Sequence, residues 1–263
     1  MKIDLDGVSI YAHTGGREFD PRGRVAVLLH GAAMDHTAYA MQGRYLAHHG
    51  FSLLVPDLPG CGMSGGEVPD SIPALATWLW RLLDHLGVGD VSIAGHSMGA
   101  LTALSATAAQ PGRVRRLCLL GAGYPMAVNA EFLDAARRND RIAILAMNDW
   151  AHAMRAKLGG AALPGLWMVG AAIRLVERAR PGTLYRCLSI CNDYDQGLED
   201  AARVTCPTGL ILGQQDMMAP PRGTGALVQA LGGEVQSEIL PDTGHMMMSE
   251  RPRRVAELLE AML

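Results

Sequence analysis

A chain of 263 residues that is 49% hydrophobic and 19% charged can bury one large domain, or a core domain with an inserted segment, and is too apolar to be disordered. A formal net charge of −3, with no long run of Lys or Arg, leaves no electrostatic footprint for nucleic acid or an anionic membrane. Five cysteines, an odd number without paired metal-type spacing, point to free packing thiols in a reducing, cytoplasmic compartment.

The N-terminal residues Met1 to Gly7 lack the uninterrupted apolar core of a secretory signal. Asp6-Gly7 between short alternating runs predicts an opening β-hairpin. Val25 to Leu29 is a short all-apolar strand of the kind buried on both faces of a parallel sheet. A helix from about Tyr39 to His49 follows, stopped by Gly50. Ser52 to Pro56 supplies the next strand, and Ser71 with Pro73 in the first turn starts a helix that runs to Leu86.

Val91 to Ala94 is the next strand. It leads through Gly95-His96-Ser97-Met98-Gly99 into a helix from Met98 to Ala109. Leu117 to Leu120, Thr208 to Leu212 and Val235 to Leu240 complete the strands, and Arg251 to Met262 closes the chain as an amphipathic helix. This alternation predicts an α/β fold, a mostly parallel twisted sheet with helices on both faces. Ligands of such sheets bind at the carboxyl ends of the strands, where the chemically distinctive residues of this chain fall.

The segment from about Tyr124 to Arg203 breaks the alternation with helical periodicity and no convincing strand. Glu131 to Met147, Trp150 to Leu158, Leu166 to Arg178 and Leu184 to Asp193 read as helices separated by Gly160, Pro164 and Pro181-Gly182. The expected division is therefore a core of residues 1–123 and 204–263 with a helical lid, 124–203, inserted into it. The longest apolar run, Leu163 to Ile173, is too short to span a membrane.

A serine between two glycines at a strand-to-helix turn reads as a nucleophile elbow. Ser97 would be held in a strained backbone with its hydroxyl at the helix N-terminus, where the free N–H of Met98 can stabilise an oxyanion. Gly62-Met63-Ser64-Gly65-Gly66 also fits the pattern Gly-x-Ser-x-Gly. It lies in a glycine-rich loop where no helix can start directly, so context selects Ser97. Gly60-Cys61-Gly62-Met63-Ser64-Gly65 spells a dinucleotide fingerprint as well, but Gly66, Pro69 and Pro73 postpone the helix that a pyrophosphate would need.

A serine nucleophile needs a base, and the base needs a partner that fixes its tautomer. His245 follows the last strand in Pro241-Asp242-Thr243-Gly244-His245, and Asp216 follows the strand before it. Serine, acid, histidine is the order found in α/β-hydrolases. With these motifs the chain resembles the α/β-hydrolase superfamily over essentially its whole length. The resemblance extends to His30-Gly31-Ala32-Ala33 after the first buried strand, and implies that the N–H groups of Ala32 and Met98 form the oxyanion hole. It also implies that His30 holds loops by hydrogen bonds. Superfamily branches with an aspartate nucleophile, such as haloalkane dehalogenases and epoxide hydrolases, would carry Asp at position 97.

Fifteen methionines are many for this length, and several gather near the elbow and in the lid. Met217 and Met246 are expected to line an adaptable apolar pocket, with Trp150 and Trp167 as its roof. The expected activity is hydrolysis of a carboxylic ester or thioester of a small-molecule substrate. Ser97, Asp216 and His245 would carry it, with no metal or organic cofactor, no nucleic acid and no membrane partner. Lactone or C–C bond hydrolysis and perhydrolysis would use the same triad, and a ligand receptor could reuse the fold. Two substrate carboxylates would need cations, which Arg137, Arg138, Arg141, Arg155 or Arg174 of the lid could supply.

Overall fold

Asp6 and Gly7 both take positive φ, 55° and 79°, as a two-residue type I′ turn requires, and so close β1 (Lys2–Leu5) against β2 (Val8–His13). A computed structural model of the protein describes residues 1–161 and 165–263. Leu163, which opens the longest apolar run, and Pro164, expected to separate two helices, lie outside the described residues.

Beyond the hairpin come β3 (Val25–Leu29), β4 (Ser52–Pro56), β5 (Val91–His96), β6 (Val114–Leu120), β7 (Thr208–Gly213) and β8 (Val235–Leu240). The strands order as β1-β2-β4-β3-β5-β6-β7-β8. β2 runs antiparallel to β4, and every pairing from β4 to β8 is parallel.

Helices α1 (Ala40–His48), α2 (Ile72–His85) and α3 (Met98–Ala109) follow β3, β4 and β5 in turn. Between β6 and β7 lie α4 (Ala130–Arg137), α5 (Arg141–Ala151), α6 (Met154–Lys157), α7 (Met168–Glu177), α8 (Thr183–Asn192) and α9 (Gly197–Arg203). α10 (Gly225–Ala230) follows β7, and α11 (Met247–Glu250) and α12 (Pro252–Met262) follow β8. Among the described residues no helix is long and apolar enough to cross a membrane.

The period of two along a strand sends alternate side chains into different cores. Val25, Val27 and Leu29 pack in the cluster that contains the α2 and α3 residues Leu79 and Leu101. Ala26 and Leu28 pack in the one that contains Leu46 of α1 and Leu259 of α12. Both faces of the sheet are covered, as the all-apolar strand predicts. β3 lies between β4 and β5, and the chain leaves β3 for α1 on one face but β5 for α3 on the other. The two loops part there and open a crevice at the carboxyl end of the sheet.

The insertion differs from expectation in its breaks. The helix expected over Glu131 to Met147 is two, because Asn139 takes a left-handed φ of 54° and Asp140 caps the second helix by accepting from Ile142 N–H at 3.0 Å. Trp150 belongs to the end of α5 rather than to a helix of its own, since His152 and Ala153 are extended before α6. α9, at the end of the segment, packs on α3 and α10.

Candidate active site

Ser97 alone makes the turn from β5 to α3, with φ 55° and ψ −119°. A side-chain-bearing residue adopts such a conformation only when its surroundings dictate it. They do so by close backbone approach. A Cβ on Gly95 would sit 2.0 Å from the Gly99 carbonyl oxygen, and one on Gly99 would sit 2.2 Å from that of Leu29, so only glycine fits at either position. The Met98 N–H, at the open N-terminus of α3, and the Ala32 N–H, in the loop after β3, donate no hydrogen bond among the described residues.

The loop after β8 brings His245 to the loop after β7, where Asp216 waits. His245 Nδ1–H donates to Asp216 Oδ2 at 2.7 Å, and both side chains are buried. Asp216 Oδ1 accepts from the N–H groups of Met218 and Ala219, each at 2.8 Å. Burial opposes ionisation of Asp216, but His245 and these two N–H donors outweigh it and hold the carboxyl below its ordinary value of 3.8. A carboxylate can only accept, so Nδ1 carries the imidazole proton and Nε2 is left as a bare acceptor without a partner among the described residues. Ser97 and His245 line the same cavity, with no hydrogen bond between them. Asp242, the nearest alternative acid, is exposed and accepts instead from Gln215 Nε2 at 3.3 Å.

Two further side chains fix the histidine loop. His96, fully buried, donates from Nε2 to the His245 carbonyl oxygen at 2.9 Å, with the two rings 4.5 Å apart. Burial and the neighbouring His245 ring push its pKa down to about 3, so it stays neutral. Glu250 accepts from the N–H of Gly244 at 3.1 Å and from that of Ala153 at 3.3 Å, which ties this loop to the residues between α5 and α6. A glutamate five residues after a histidine is legible in sequence, but its backbone partners are not.

A family model for the alpha/beta hydrolase family matches residues 26–258. The chain belongs to that family. It is 31% identical over 103 residues to the (E)-2-((N-methylformamido)methylene)succinate hydrolase of Acinetobacter baylyi, a match that spans 39% of each chain. The solved enol-lactonase from Burkholderia xenovorans LB400 superimposes with a TM-score of 0.85 at 18% identity, covering 100% of this chain and 99% of that one. An esterase from Exiguobacterium antarcticum gives 0.84 at 18% identity, covering 99% and 97%. At such identities the two superpositions show the fold.

In this alpha/beta hydrolase the elbow opens into a cavity of about 200 Å³. Met126, Met147, Met217, Met218 and Met246 line it with Trp150 from the inserted helices. Met217 is 67% exposed and stands at the mouth, whereas Met246 is buried. Trp167 is not part of the roof, contrary to the sequence-based expectation. α7 starts at Met168, two residues later than expected, and the Trp167 ring folds onto Gly170 of that helix, leaving the residue 68% exposed.

The other motif residues are structural. Ser64 is buried, donates to the Asp57 carbonyl oxygen at 2.7 Å and receives Tyr11 N–H at 3.0 Å, and the next helix after it starts only at Ile72. His30 Nδ1–H donates to Gly31 O at 2.9 Å while Nε2 accepts from Leu58 N–H at 3.0 Å, so it braces the loops after β3 and β4. Asp35, His36 and Asp57 bring three ligand-type atoms within 4.8 Å of one another, but protein donors occupy the carboxylates. Asp57 accepts from the His36 and Met63 N–H groups and from His36 Nδ1, and Asp35 pairs with Thr37 and with Arg178.

Proposed function

We propose that this protein is a serine hydrolase that cleaves a carboxylic ester or thioester of a small to medium apolar substrate through an acyl-enzyme on Ser97. The supporting observation is the His245–Asp216 pair, which leaves Nε2 deprotonated on a residue that lines the same cavity as Ser97. His245 takes the proton of the Ser97 hydroxyl as it attacks the carbonyl and returns it to the leaving group. Asp216 holds the imidazole tautomer and stabilises the cation that forms. The Ala32 and Met98 N–H groups receive the oxyanion, and water, activated by the same histidine, deacylates the serine.

Residues 124–203 act in this reading as a lid, with α4, α5 and α8 forming one wall of the cavity and α9 lying on the core. The substrate it encloses is uncharged. Among the described residues no Lys or Arg lines the cavity, and Arg137, Arg138, Arg141, Arg155 and Arg174 are all exposed away from it. A dicarboxylate would meet no cation there. Five free, buried thiols accord with a reducing, cytoplasmic setting.

Fluorophosphonate labelling and p-nitrophenyl ester turnover test the proposal. Wild type should label and turn over, and Ser97→Ala should lose labelling and fall by roughly 10⁴ or more in kcat with the fold intact. Full activity in Ser97→Ala removes the assignment, and rapid labelling of wild type without turnover marks a receptor instead.

A further inference from the structure

Apart from Ser97 and His245, the cavity wall carries, among the described residues, a buried side chain with a polar atom that has no protein partner. Asn148, on α5, is 2% exposed. Its Nδ2 donates to the Ile144 carbonyl oxygen at 2.8 Å, and because a carbonyl can only accept, this bond fixes the orientation of the carboxamide. Oδ1 is thereby turned off the helix. Among the described residues it has no hydrogen-bond partner, it is not sealed from solvent, and Asn148 lines the cavity. Asn129, the other amide on the wall, is already committed, since its Oδ1 caps α4 by accepting from Glu131 and Phe132 N–H.

Asn148 also stands close to the chemistry. It lies three residues, about 4.5 Å of helix rise, before Ala151, whose carbonyl oxygen receives Met246 N–H at 3.0 Å in the histidine loop. A polar atom in an otherwise methionine-rich, uncharged wall is unfavourable for a purely aliphatic guest, because filling the cavity strips that oxygen of water without replacing the bond.

We infer that Asn148 Oδ1 is a specificity site: the substrate is a neutral ester whose apolar body carries one hydrogen-bond donor, a hydroxyl or amide N–H, that this oxygen accepts. The inference rests on the serine-hydrolase reading and adds the substrate class. Asn148 takes no part in the proton path, so its loss changes selection and leaves the acylation machinery in place.

The test uses two pairs of p-nitrophenyl esters in which a hydroxyl replaces a methyl at constant shape: 3-hydroxybutanoate with 3-methylbutanoate, and 6-hydroxyhexanoate with heptanoate. kcat/KM is measured for wild type, Asn148→Leu and Asn148→Ala, the last keeping a helix-compatible residue if leucine overfills the wall. An apolar pocket without a specificity site favours the methyl ester of each pair. The inference expects wild type to prefer the hydroxy ester in at least one pair by roughly tenfold, and both variants to reverse that preference while turning over the methyl esters at least as well. Preference for the methyl ester in both pairs, or an unchanged ratio in the variants, overturns it. Wild type that neither labels with fluorophosphonate nor hydrolyses any of the four esters overturns the hydrolase reading itself, and the inference with it.

Discussion

His96 Nε2 and the His245 carbonyl oxygen are joined by a hydrogen bond of 2.9 Å, so the residue before the elbow serine grips the main chain of the residue that carries the imidazole. The bond crosses 149 positions of sequence and sets the height of the histidine loop above β5.

That grip is expected to be titratable. The neutral form of His96 suits the fold, with a pKa pushed down to about 3 by burial and by His245, while Asp216 and His30 are the other ionisable groups acting on it. A depressed pKa means that its stabilisation is complete above the ordinary value of 6.5 and is lost as pH falls from there toward about 3. His96→Gln keeps a donor for the carbonyl but cannot be protonated. Urea midpoints measured from pH 7 to pH 3.5 should fall less steeply in this variant than in wild type. His96→Phe should retain the fold yet lower kcat by roughly tenfold or more, because the imidazole loses its register.

Asp216→Asn is expected to reverse the imidazole tautomer. The outer oxygen of residue 216 accepts two main-chain N–H groups, so the amide of the variant would keep its oxygen there and turn its NH₂ toward His245 Nδ1. The proton then moves to Nε2, the atom that the proposed mechanism uses as base. Ester turnover at pH 7 should drop by roughly 10³ to 10⁴, with the elbow and the cavity unchanged. The same variant should lose less stability than wild type below pH 3.8, since the carboxylate's depressed pKa stabilises the fold above its ordinary value and ceases to do so as acid protonates it.

Gly121 follows β6 with φ 53°, and a Cβ there would sit 2.9 Å from His245 Nδ1 and 3.0 Å from its Cε1. Gly121→Ala should displace the ring and reduce kcat by about 10². The stability cost should be modest, about 1 to 2 kcal/mol, for one alanine at positive φ. A large change in kcat beside a small shift in Tm is the expected signature.

Glu250→Ala would strip buried N–H groups of Gly244 and Ala153 of their acceptor. The expected loss is about 2 to 3 kcal/mol in equilibrium unfolding, with Glu250→Gln losing less because one oxygen remains.

Local chemistry made much of this molecule readable in sequence. Asp6-Gly7 can close little but a tight hairpin, Val25 to Leu29 has no polar side to offer water, and the glycines around Ser97 admit backbone that no other residue would. The pairing of Asp216 with His245 followed from the strand ends that carry them. What escaped depended on contacts across the fold. Asn139-Asp140 held the signal for a helix break, an asparagine able to turn left-handed before a capping aspartate, but the surrounding apolar periodicity masked it. Trp167 is expected, with Trp150, as the roof of an apolar pocket under the inserted helices, but it lies ahead of the start of α7 and is exposed. Asn148 reads in sequence like any solvent-facing polar residue of an amphipathic helix, and only the path of α5 along the cavity gives it a role.

The end of α5 and the residues that follow it are fastened to the histidine loop twice, by Met246 N–H on the Ala151 carbonyl oxygen and by Glu250 on Ala153 N–H. A Cβ on Gly244 would lie 2.6 Å from that same carbonyl. Exchange of the inserted helices between homologues therefore demands more than a graft at the two junctions with β6 and β7. A donor segment that lacks matching backbone at 151–153 would arrive with the wrong seat for His245, so functional chimeras require residues 244–250 to travel with it.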